Sequence, residues 1–257
     1  MKKLILIALA GLCVGCVQLV PVSKYTCYKA LGEMRIDGEL DEDSWESAIS
    51  TGNFPLYDGK QQNLAHTSAM MLWDDEYLYI AFVCEDTDLY STMKGRDDDL
   101  WRQDVVEVFI MEQSVGQDHF VEYEVNPTGA FCDMYNVLPY VTMLEWVSPG
   151  FKAAAKFNGS LNDSSDNDIG YHIEMAIPFR DLRLRWKDSA TPKDGDKFKM
   201  NLCRVEYKTP ERIGSDGADM LCITWSPTIT DSYHRPSRFG VVEFADWPTG
   251  KPRPQQP

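Results

Sequence analysis

The feature that most constrains the fold of this chain is a series of short segments rich in β-branched and aromatic residues, each bounded by Asp, Asn, Gly or Pro. Segments of this length and composition are typical of β-strands. Only two stretches, 41–49 and 179–184, have helical character, and each is long enough for one or two turns. The pattern therefore predicts an all-β fold, an antiparallel β-sandwich with little helix. The predicted strands are 77–86, 105–112, 119–127, 171–179, 198–207, 220–226 and 239–244.

The domain organisation follows from what lies between these strands. No linker rich in Gly, Ser or Pro interrupts them, and no internal repeat is present. A chain of 257 residues is long enough for one large β domain with a sizeable core. We therefore predict a single domain over residues 31–244, preceded by a tether at 16–30 and followed by a disordered, proline-rich tail at 245–257.

The N-terminus has the pattern of a secretory signal. Two lysines precede the apolar run LILIALAGL, and the small residue Gly15 precedes Cys16. Gly15-Cys16 resembles the lipoprotein box of bacteria, although Cys13 stands where that box has leucine. We expect residues 1–15 to be a cleaved signal peptide and Cys16 to be lipidated, which would anchor the protein in the cell envelope, at the outer membrane or its periplasmic face. The alternatives are a redox pair of these two cysteines and a retained membrane-spanning segment.

The chain is strongly acidic, with a formal net charge of −15. Removal of residues 1–15 takes away two lysines and no acids, so the mature net charge is 23 − 40 = −17. Such a charge repels nucleic-acid phosphates and anionic lipid headgroups. We therefore expect no nucleic-acid partner, and contact with a membrane only through the N-terminal lipid. A neutral or cationic partner fits the charge, and so does a purely solubilising role.

One group of acids offers oxygen ligands for a cation. The run Asp97–Asp99 follows Asp86 and Asp88 in the sequence, and calcium prefers carboxylate oxygens. The spacing matches no EF-hand loop, and the same residues fit a solvated loop. A structural calcium ion is thus one of two interpretations, and the sequence indicates no other cofactor.

The sequence indicates no catalytic residue. It contains no nucleophile elbow, no phosphate-binding loop and no paired metal-ligand motif. Acids are so numerous that a pair of the glycosidase type can be drawn at many positions and carries no weight. These observations favour a protein that is not an enzyme. The four histidines are scattered without ligand spacing, at positions 66, 119, 172 and 234.

Two residues of the segment DDDLWRQDVVEVFI (97–110) are unusual for a strand and its preceding loop. Glu107 lies between Val105 and Phe109 on one face of the predicted strand, and Trp101 stands just before that strand. The tryptophan is either packed beneath a loop or exposed as a platform for a sugar ring. A sugar presents C–H groups to an aromatic face and hydroxyls to a carboxylate. Composition alone leaves the two interpretations level.

Five stretches of the chain resemble the family 9 carbohydrate-binding modules and occur in the family's order. Together they cover nearly all of the chain from Ile36 to Phe244. The resemblance implies an antiparallel β-sandwich that holds a terminal sugar between two aromatic rings. The stretches are IDGELDEDSW (36–45), LWDDEYLYIAFVCED (72–86), WRQDVVEVFI (101–110), GYHIEMAIPF (170–179) and ITWSPTITDSYHRPSRFG (223–240).

The resemblance implies specific roles for several residues. Trp101 stands where the family has its first clamp tryptophan, and Glu107 matches a carboxylate that bonds sugar hydroxyls. Tyr233 stands where the second clamp tryptophan is expected and offers a smaller ring. Glu124 replaces an arginine of the family that bonds hydroxyls, which reverses a charge inside the site. Arg235, the neighbouring Arg102 or a bound cation is expected to compensate that reversal.

The function implied by this resemblance is non-catalytic binding of an oligo- or polysaccharide, with the sugar unit held between aromatic side chains. Two alternatives remain at this stage. The first is a glycan-active hydrolase built on the same fold. The second is a relative whose sugar site has decayed and which serves a structural or partner-binding role, an alternative favoured by Glu124 and Tyr233.

Overall fold

The computed structural model of the protein describes residues 20–111, 119–137, 141–182, 191–207, 220–230 and 232–247. These ranges contain twelve β-strands, one short α-helix and three 3₁₀ turns, which confirms the prediction of an all-β domain with little helix. The strands are β1 (Lys24–Lys29), β2 (Thr67–Trp73), β3 (Tyr77–Glu85), β4 (Val105–Met111), β5 (His119–Val125), β6 (Phe131–Val137), β7 (Val141–Met143), β8 (Lys152–Asn158), β9 (Gly170–Pro178), β10 (Lys197–Tyr207), β11 (Met220–Thr224) and β12 (Gly240–Ala245). The helix is α1 (Asp43–Ser47), and the 3₁₀ turns are Leu100–Arg102, Phe179–Leu182 and Pro236–Arg238.

The strands form one continuous hydrogen-bonded sheet in the order β7-β6-β5-β4-β10-β12-β1-β2-β3-β9-β8, with β11 paired to β10. Neighbours are antiparallel except around β1, which runs parallel to both β12 and β2. Inward side chains of β2, β3 and β9 belong to the same buried cluster as those of β4, β5 and β10. The sheet therefore curls back on itself, and its two halves pack face to face over one core.

The alternation in VVEVFI has the predicted consequence in the structure. Val106, Val108 and Ile110 point into the core between the two halves of the sheet. Val105 and Phe109 belong instead to a second buried cluster on the outer face of β4, β5, β10 and β11. Because successive side chains of a strand point to opposite faces, Glu107 also lies on this outer face.

The predicted tether contains a strand of the sheet. Residues 24–29, KYTCYK, form β1, and Tyr25 and Cys27 are buried in the core on alternate positions. The Tyr25 hydroxyl donates to the carbonyl of Ile49 at 2.5 Å and accepts from the N–H of Met71 at 2.9 Å. The ordered domain thus begins before residue 31, because β12 supplies a partner that lies more than 200 residues along the chain.

The start of the predicted disordered tail is also ordered. Ala245 is the last residue of β12, and the ring of Trp247 packs edge-on against Tyr28 with centroids 4.8 Å apart. Residues 248–257 lie outside the described residues, as do residues 1–19 with the predicted lipidation site Cys16. Within the described ranges, no helix is long and apolar enough to span a membrane.

A buried ion network joins β10 to the loop after β3. Arg204 is fully buried, and its Nη2 donates to Asp86 Oδ2 at 3.0 Å and also to Glu206. Its Nη1 donates to the Glu85 carbonyl at 2.8 Å and to Thr67 Oγ1 at 3.2 Å. One guanidinium therefore compensates several buried acids, as such groups require in a low-dielectric interior.

Asp104 completes this network from the residue before β4. It is fully buried, and its two carboxylate oxygens accept the N–H groups of Tyr90 at 2.8 Å and Tyr207 at 3.2 Å. Burial and the nearby charge of Asp86 raise the pKa of Asp104 to about 8, against the opposing effect of Arg204. The network fixes the loop that leads from β3 to β4, and this loop carries Trp101.

Candidate functional site

A cavity of about 410 Å³ opens on the outer face of the half-sheet formed by β4, β5, β6, β10 and β11. Its walls come from these strands, from the segment before β4 and from the segment before the last 3₁₀ turn. A volume of this size is typical of small-molecule sites. The lining residues are Asp97, Asp98, Asp99, Trp101, Glu107, Glu122, Glu124, Cys132, Met134, Thr142, Leu144, Val205, Met220, Cys222, Ser232, Tyr233 and His234.

Trp101 is an exposed ring at this cavity. Its neighbour Leu100 is fully buried and fixes the 3₁₀ turn, whereas Trp101 keeps 43% of its surface exposed. The Arg102 guanidinium lies 4.3 Å from the centre of the Trp101 ring, and Asp99 holds that guanidinium at 3.0 Å. The interpretation of Trp101 as a core residue is therefore wrong, and one face of the indole is backed by a cation.

Three carboxyl groups form the floor of the cavity. Glu107 on β4 lies directly opposite Glu124 on β5, and Glu122 precedes Glu124 by two residues on the same face. One oxygen from each carboxyl lies within 4.8 Å of the others, and all three side chains are buried. We call this group the glutamate triad. Glu122 was not among the site residues predicted from the sequence, although its spacing of two from Glu124 predicts a shared face.

The protonation of the triad is set by burial. Burial raises the pKa of Glu107 well above its ordinary value, and the charges of Glu124 and Glu122 raise it further. Burial and the charge of Glu122 likewise raise the pKa of Glu124, although the backbone N–H of Trp101 donates to it. Like charges on directly opposed strand positions repel, so holding protons stabilises the pair. A protonated carboxyl donates as well as accepts, and Glu107 is therefore able to do both toward a ligand.

Tyr233 lines the cavity, but most of its side chain is buried against other residues of the protein. Its hydroxyl donates to the carbonyl of Arg204 at 2.8 Å, and its ring packs against Phe109 with centroids 6.2 Å apart. Only 9% of its surface is exposed. The structure thus brings Trp101, Glu107, Glu124 and Tyr233 to one cavity, with the tyrosine offering a small part of its ring.

His234 is a second cavity residue that was not among the site residues predicted from the sequence. It lines the cavity next to Tyr233, and its Nε2 lies 3.3 Å from Glu122 Oε2. Burial lowers the pKa of His234, but the hydrogen bond and the charge of Glu122 outweigh that effect and the net pKa is raised. Its ring also packs on Phe109 and Phe120. The sequence feature that could have identified His234 is its position directly after Tyr233, the predicted second clamp residue.

Two predicted cationic side chains do not line the cavity. Arg235 Nη1 donates to the carbonyl of Thr228 at 2.8 Å, because this buried carbonyl needs a donor. The expected compensation of Glu124 by Arg235 is therefore absent from the structure. Arg102 is likewise not a lining residue and is bound to Asp99 over the Trp101 ring.

The acids proposed as calcium ligands are divided between two places. Asp97–Asp99 lie at the cavity, where they line its rim, whereas Asp86 is bound to the Arg204 guanidinium. Within the described residues, the acids close enough to share an ion are the glutamate triad and the group Asp86, Asp104 and Glu206. The second group already contains Arg204 as its counter-charge. Asp86 thus groups with Asp104 and Glu206 and not with the aspartate run, and a structural calcium ion stays a prediction.

The fold and the cavity define a class of protein, namely a β-sandwich with an open cavity on the outer face of one layer. The chain belongs to the carbohydrate family 9 binding domain-like family, whose model matches residues 36–246. This family comprises non-catalytic binding modules, and the sequence resemblance is thereby confirmed.

Relatives and solved structures agree with this assignment. The chain is 26% identical over 227 residues to an endo-1,4-beta-xylanase A of Thermotoga maritima, covering 88% of this chain and 18% of the relative. It is 30% identical over 152 residues to the exoglucanase XynX of Acetivibrio thermocellus, covering 58% of this chain and 12% of the relative. The chain thus spans less than a fifth of the length of these enzymes.

Two solved structures share the fold at low sequence identity. A putative carbohydrate-binding protein of Bacteroides uniformis superposes with a TM-score of 0.66 at 16% identity, covering 87% of this chain and 99% of that one. A family 9 carbohydrate-binding module of Caldicellulosiruptor kristjanssonii in complex with cellotriose gives a TM-score of 0.59 at 18% identity, covering 91% and 100%.

Proposed function

We propose that this protein binds a sugar unit of an oligo- or polysaccharide in the cavity, without catalysis. The observation that carries the proposal is the exposed Trp101 ring beside a cavity whose floor is made of carboxyl groups. An aromatic face covers the C–H side of a pyranose, and buried carboxyl groups bond its hydroxyls. Membership of a carbohydrate-binding family supports this use of the cavity.

The arrangement explains how a sugar would be oriented. Arg102 covers one face of the Trp101 indole, so the sugar ring stacks on the other face. Glu107 and Glu124 lie at the floor and reach the hydroxyl edge of the ring. Tyr233, which is 9% exposed, lines the same cavity together with His234. Tyr233 therefore acts more as a wall of the site than as a full second stacking partner.

The proposal is tested by titrating the full chain with cellotriose and glucose, the ligands of the structurally similar Caldicellulosiruptor module. We expect dissociation constants in the range of roughly tens of micromolar to millimolar, as for shallow sites with one or two stacked rings. If neither sugar binds, a glycan array with the same protein extends the search. Absence of binding across the array would contradict sugar recognition and favour the structural or partner-binding alternative.

The hydrolase alternative has one observation in its favour. The glutamate triad brings carboxyl groups within 4.8 Å of one another, and retaining glycosidases place two carboxyl groups roughly 5–5.5 Å apart. Incubation of the protein with the same oligosaccharides, followed by chromatography of the products, separates the two functions. We expect the oligosaccharides to remain intact.

We propose in addition that a lipid on Cys16 attaches the protein to the cell envelope. The support is the sequence of residues 1–16, together with the position of β1. Seven residues lie between Cys16 and Lys24, so the two are eight residue steps apart and span at most ~28 Å when fully extended. An anchor at Cys16 would therefore hold the domain next to the membrane surface.

Cys16→Ala is expected to move the protein from the membrane fraction to the soluble fraction, because the lipid supplies about 0.8 kcal/mol per buried CH₂ group. Fractionation and immunoblotting measure this shift. Cys13→Ala is the matched control and should remain with the membranes. If Cys16→Ala stays in the membrane fraction with residues 1–15 uncleaved, a retained membrane-spanning segment replaces the lipid as the explanation.

A further inference from the structure

The cavity floor carries acids that the described part of the protein does not balance with a lysine or arginine. At the rim, Asp97 lies 3.5 Å from the Arg96 guanidinium and Asp99 lies 3.0 Å from that of Arg102. No lysine or arginine within the described ranges forms an ion pair with the glutamate triad or lines the cavity. The one basic side chain there is His234, which contacts Glu122. The carboxyl groups of the floor therefore have no lysine or arginine counter-charge among the described residues, and a cation bound beside them would favour their ionised form.

One oxygen of the triad has no hydrogen-bond partner among the residues that the structure describes. Glu124 is 3% exposed, and its Oε2 is buried without a hydrogen bond. Glu122 is bonded instead by Asn136 Nδ2 at 2.8 Å, in addition to His234. A buried acceptor without a donor is costly, and native proteins rarely leave one without a reason. Since Glu124 lines the cavity, a ligand in the cavity is positioned to supply the donor.

The second buried acid group of the same fold shows the contrast. Asp86 and Glu206 are compensated by Arg204, whose guanidinium lies between them and donates to both. The glutamate triad also brings three acids together, but no arginine or lysine among the described residues lies between them. The structural group carries its own cation, whereas the triad faces a space large enough for a small molecule.

We propose that the cavity selects an amino sugar, whose protonated amine lies on the glutamate triad while its ring stacks on Trp101. This inference rests on the proposed function and names its substrate class. An ammonium group carries one positive charge and three N–H donors, which matches three neighbouring carboxyl groups. A neutral hydroxyl at the same place offers one donor and no charge.

A bare divalent cation fits the floor less well. Calcium takes six to eight oxygen ligands, whereas the triad supplies three side chains, one of which is already bonded by Asn136 and His234. The remaining walls include apolar side chains such as Leu144 and Met220, which suit an organic ring. A polycationic glycan also matches the net charge of −15.

The test compares three trisaccharides that share a β-1,4-linked backbone and differ at carbon 2: the glucosamine trimer, the N-acetylglucosamine trimer and cellotriose. The full chain is titrated with each at about pH 6, where an amine of this kind is protonated. We expect the glucosamine trimer to bind about tenfold more tightly than either neutral trimer, because a charge-assisted hydrogen bond is roughly twice as strong as a neutral one.

Two variants test whether the preference for the glucosamine trimer arises from the glutamate triad. Glu124→Gln keeps the shape of the side chain and should reduce the preference, measured as the ratio of the dissociation constants for cellotriose and the glucosamine trimer, to about threefold or less. Asp75→Asn removes the same charge at an exposed site paired with Lys29, outside the cavity, and should leave the preference unchanged. The comparison among wild-type titrations stands even if Glu124→Gln fails to fold.

The outcomes are distinguishable. If cellotriose binds as tightly as the glucosamine trimer, the amino-sugar inference is overturned and the proposed function stands. If no trimer binds, the amino-sugar inference is overturned, and the glycan array decides the proposed function separately. Titration with calcium chloride alone completes the test. Calcium binding that Glu124→Gln abolishes, together with loss of sugar binding in a chelator, would assign the triad to a metal ion and overturn the inference.

Discussion

Trp101→Ala should abolish measurable binding of the sugar that the cavity takes. The ring is 43% exposed beside the cavity, and stacking one pyranose on it contributes on the order of 1–3 kcal/mol. A loss of that size weakens binding by roughly 5- to 150-fold. Starting from tens of micromolar to millimolar, the variant falls below what titration calorimetry detects. Because the Trp101 side chain adds little to the core, the melting temperature should change little.

Two further variants sharpen this result. Trp101→Phe keeps a smaller aromatic face and should retain part of the affinity. Phe157→Ala removes another exposed ring, 39% exposed on β8, away from the cavity, and should bind as the wild type does. Wild-type affinity in Trp101→Ala would show that the ring is not the platform, and the location of the site would have to be sought elsewhere.

Arg204→Met should destabilise the fold by about 3–5 kcal/mol, a large part of the free energy of unfolding of a typical domain. The substitution leaves Asp86, Asp104 and Glu206 buried without their counter-charge. Chemical denaturation measures the effect as a lower transition midpoint. Lys197→Met, which removes an exposed ion pair with Glu243, is the control and should stay within the roughly 1 kcal/mol of surface pairs.

The loss in Arg204→Met should grow with pH. In the wild type the pKa of Asp104 is raised from 3.8 to about 8, so the folded state binds this proton more tightly than the unfolded state. The contribution of this protonation to the free energy of unfolding is fully present below about pH 4 and is lost as the pH rises through about 8. Without Arg204 the pKa values of Asp86, Asp104 and Glu206 rise further. An equal loss at about pH 5 and pH 8 would contradict this account.

Seven of the twelve strands were predicted, because their side chains alternate locally, whereas β1, β2, β6, β7 and β8 were not. The parity of Val106, Val108 and Glu107 was correct from sequence, since the period of two is a property of the strand itself. β1 was missed because its six residues include three exposed or half-exposed polar positions and no long apolar run. Its assignment depends on pairing with β12 and β2, and such partners are not encoded nearby.

The candidate site was predictable to the extent that family motifs place residues along the chain. Trp101, Glu107, Glu124 and Tyr233 do meet at one cavity, while their roles in binding remain predictions. Arg235 was misplaced because the direction of a long side chain depends on which acceptor it finds in space. The burial of the Tyr233 ring likewise depends on its contact with Phe109 of β4. The sequence around Tyr233 does not reveal this contact.

The parallel pairing of the first and last strands has a consequence for how the chain folds. Lys24 pairs with Val241, which lies 241 − 24 = 217 residues later, and β12 also pairs with β10. Until residues 240–245 emerge from the ribosome, β1 and β10 each keep one uncovered edge. Uncovered edges recruit other strands, and contacts of such sequence separation form slowly. The domain therefore closes only after residue 245 has been synthesised, and β12 then covers the exposed edges of two strands at once.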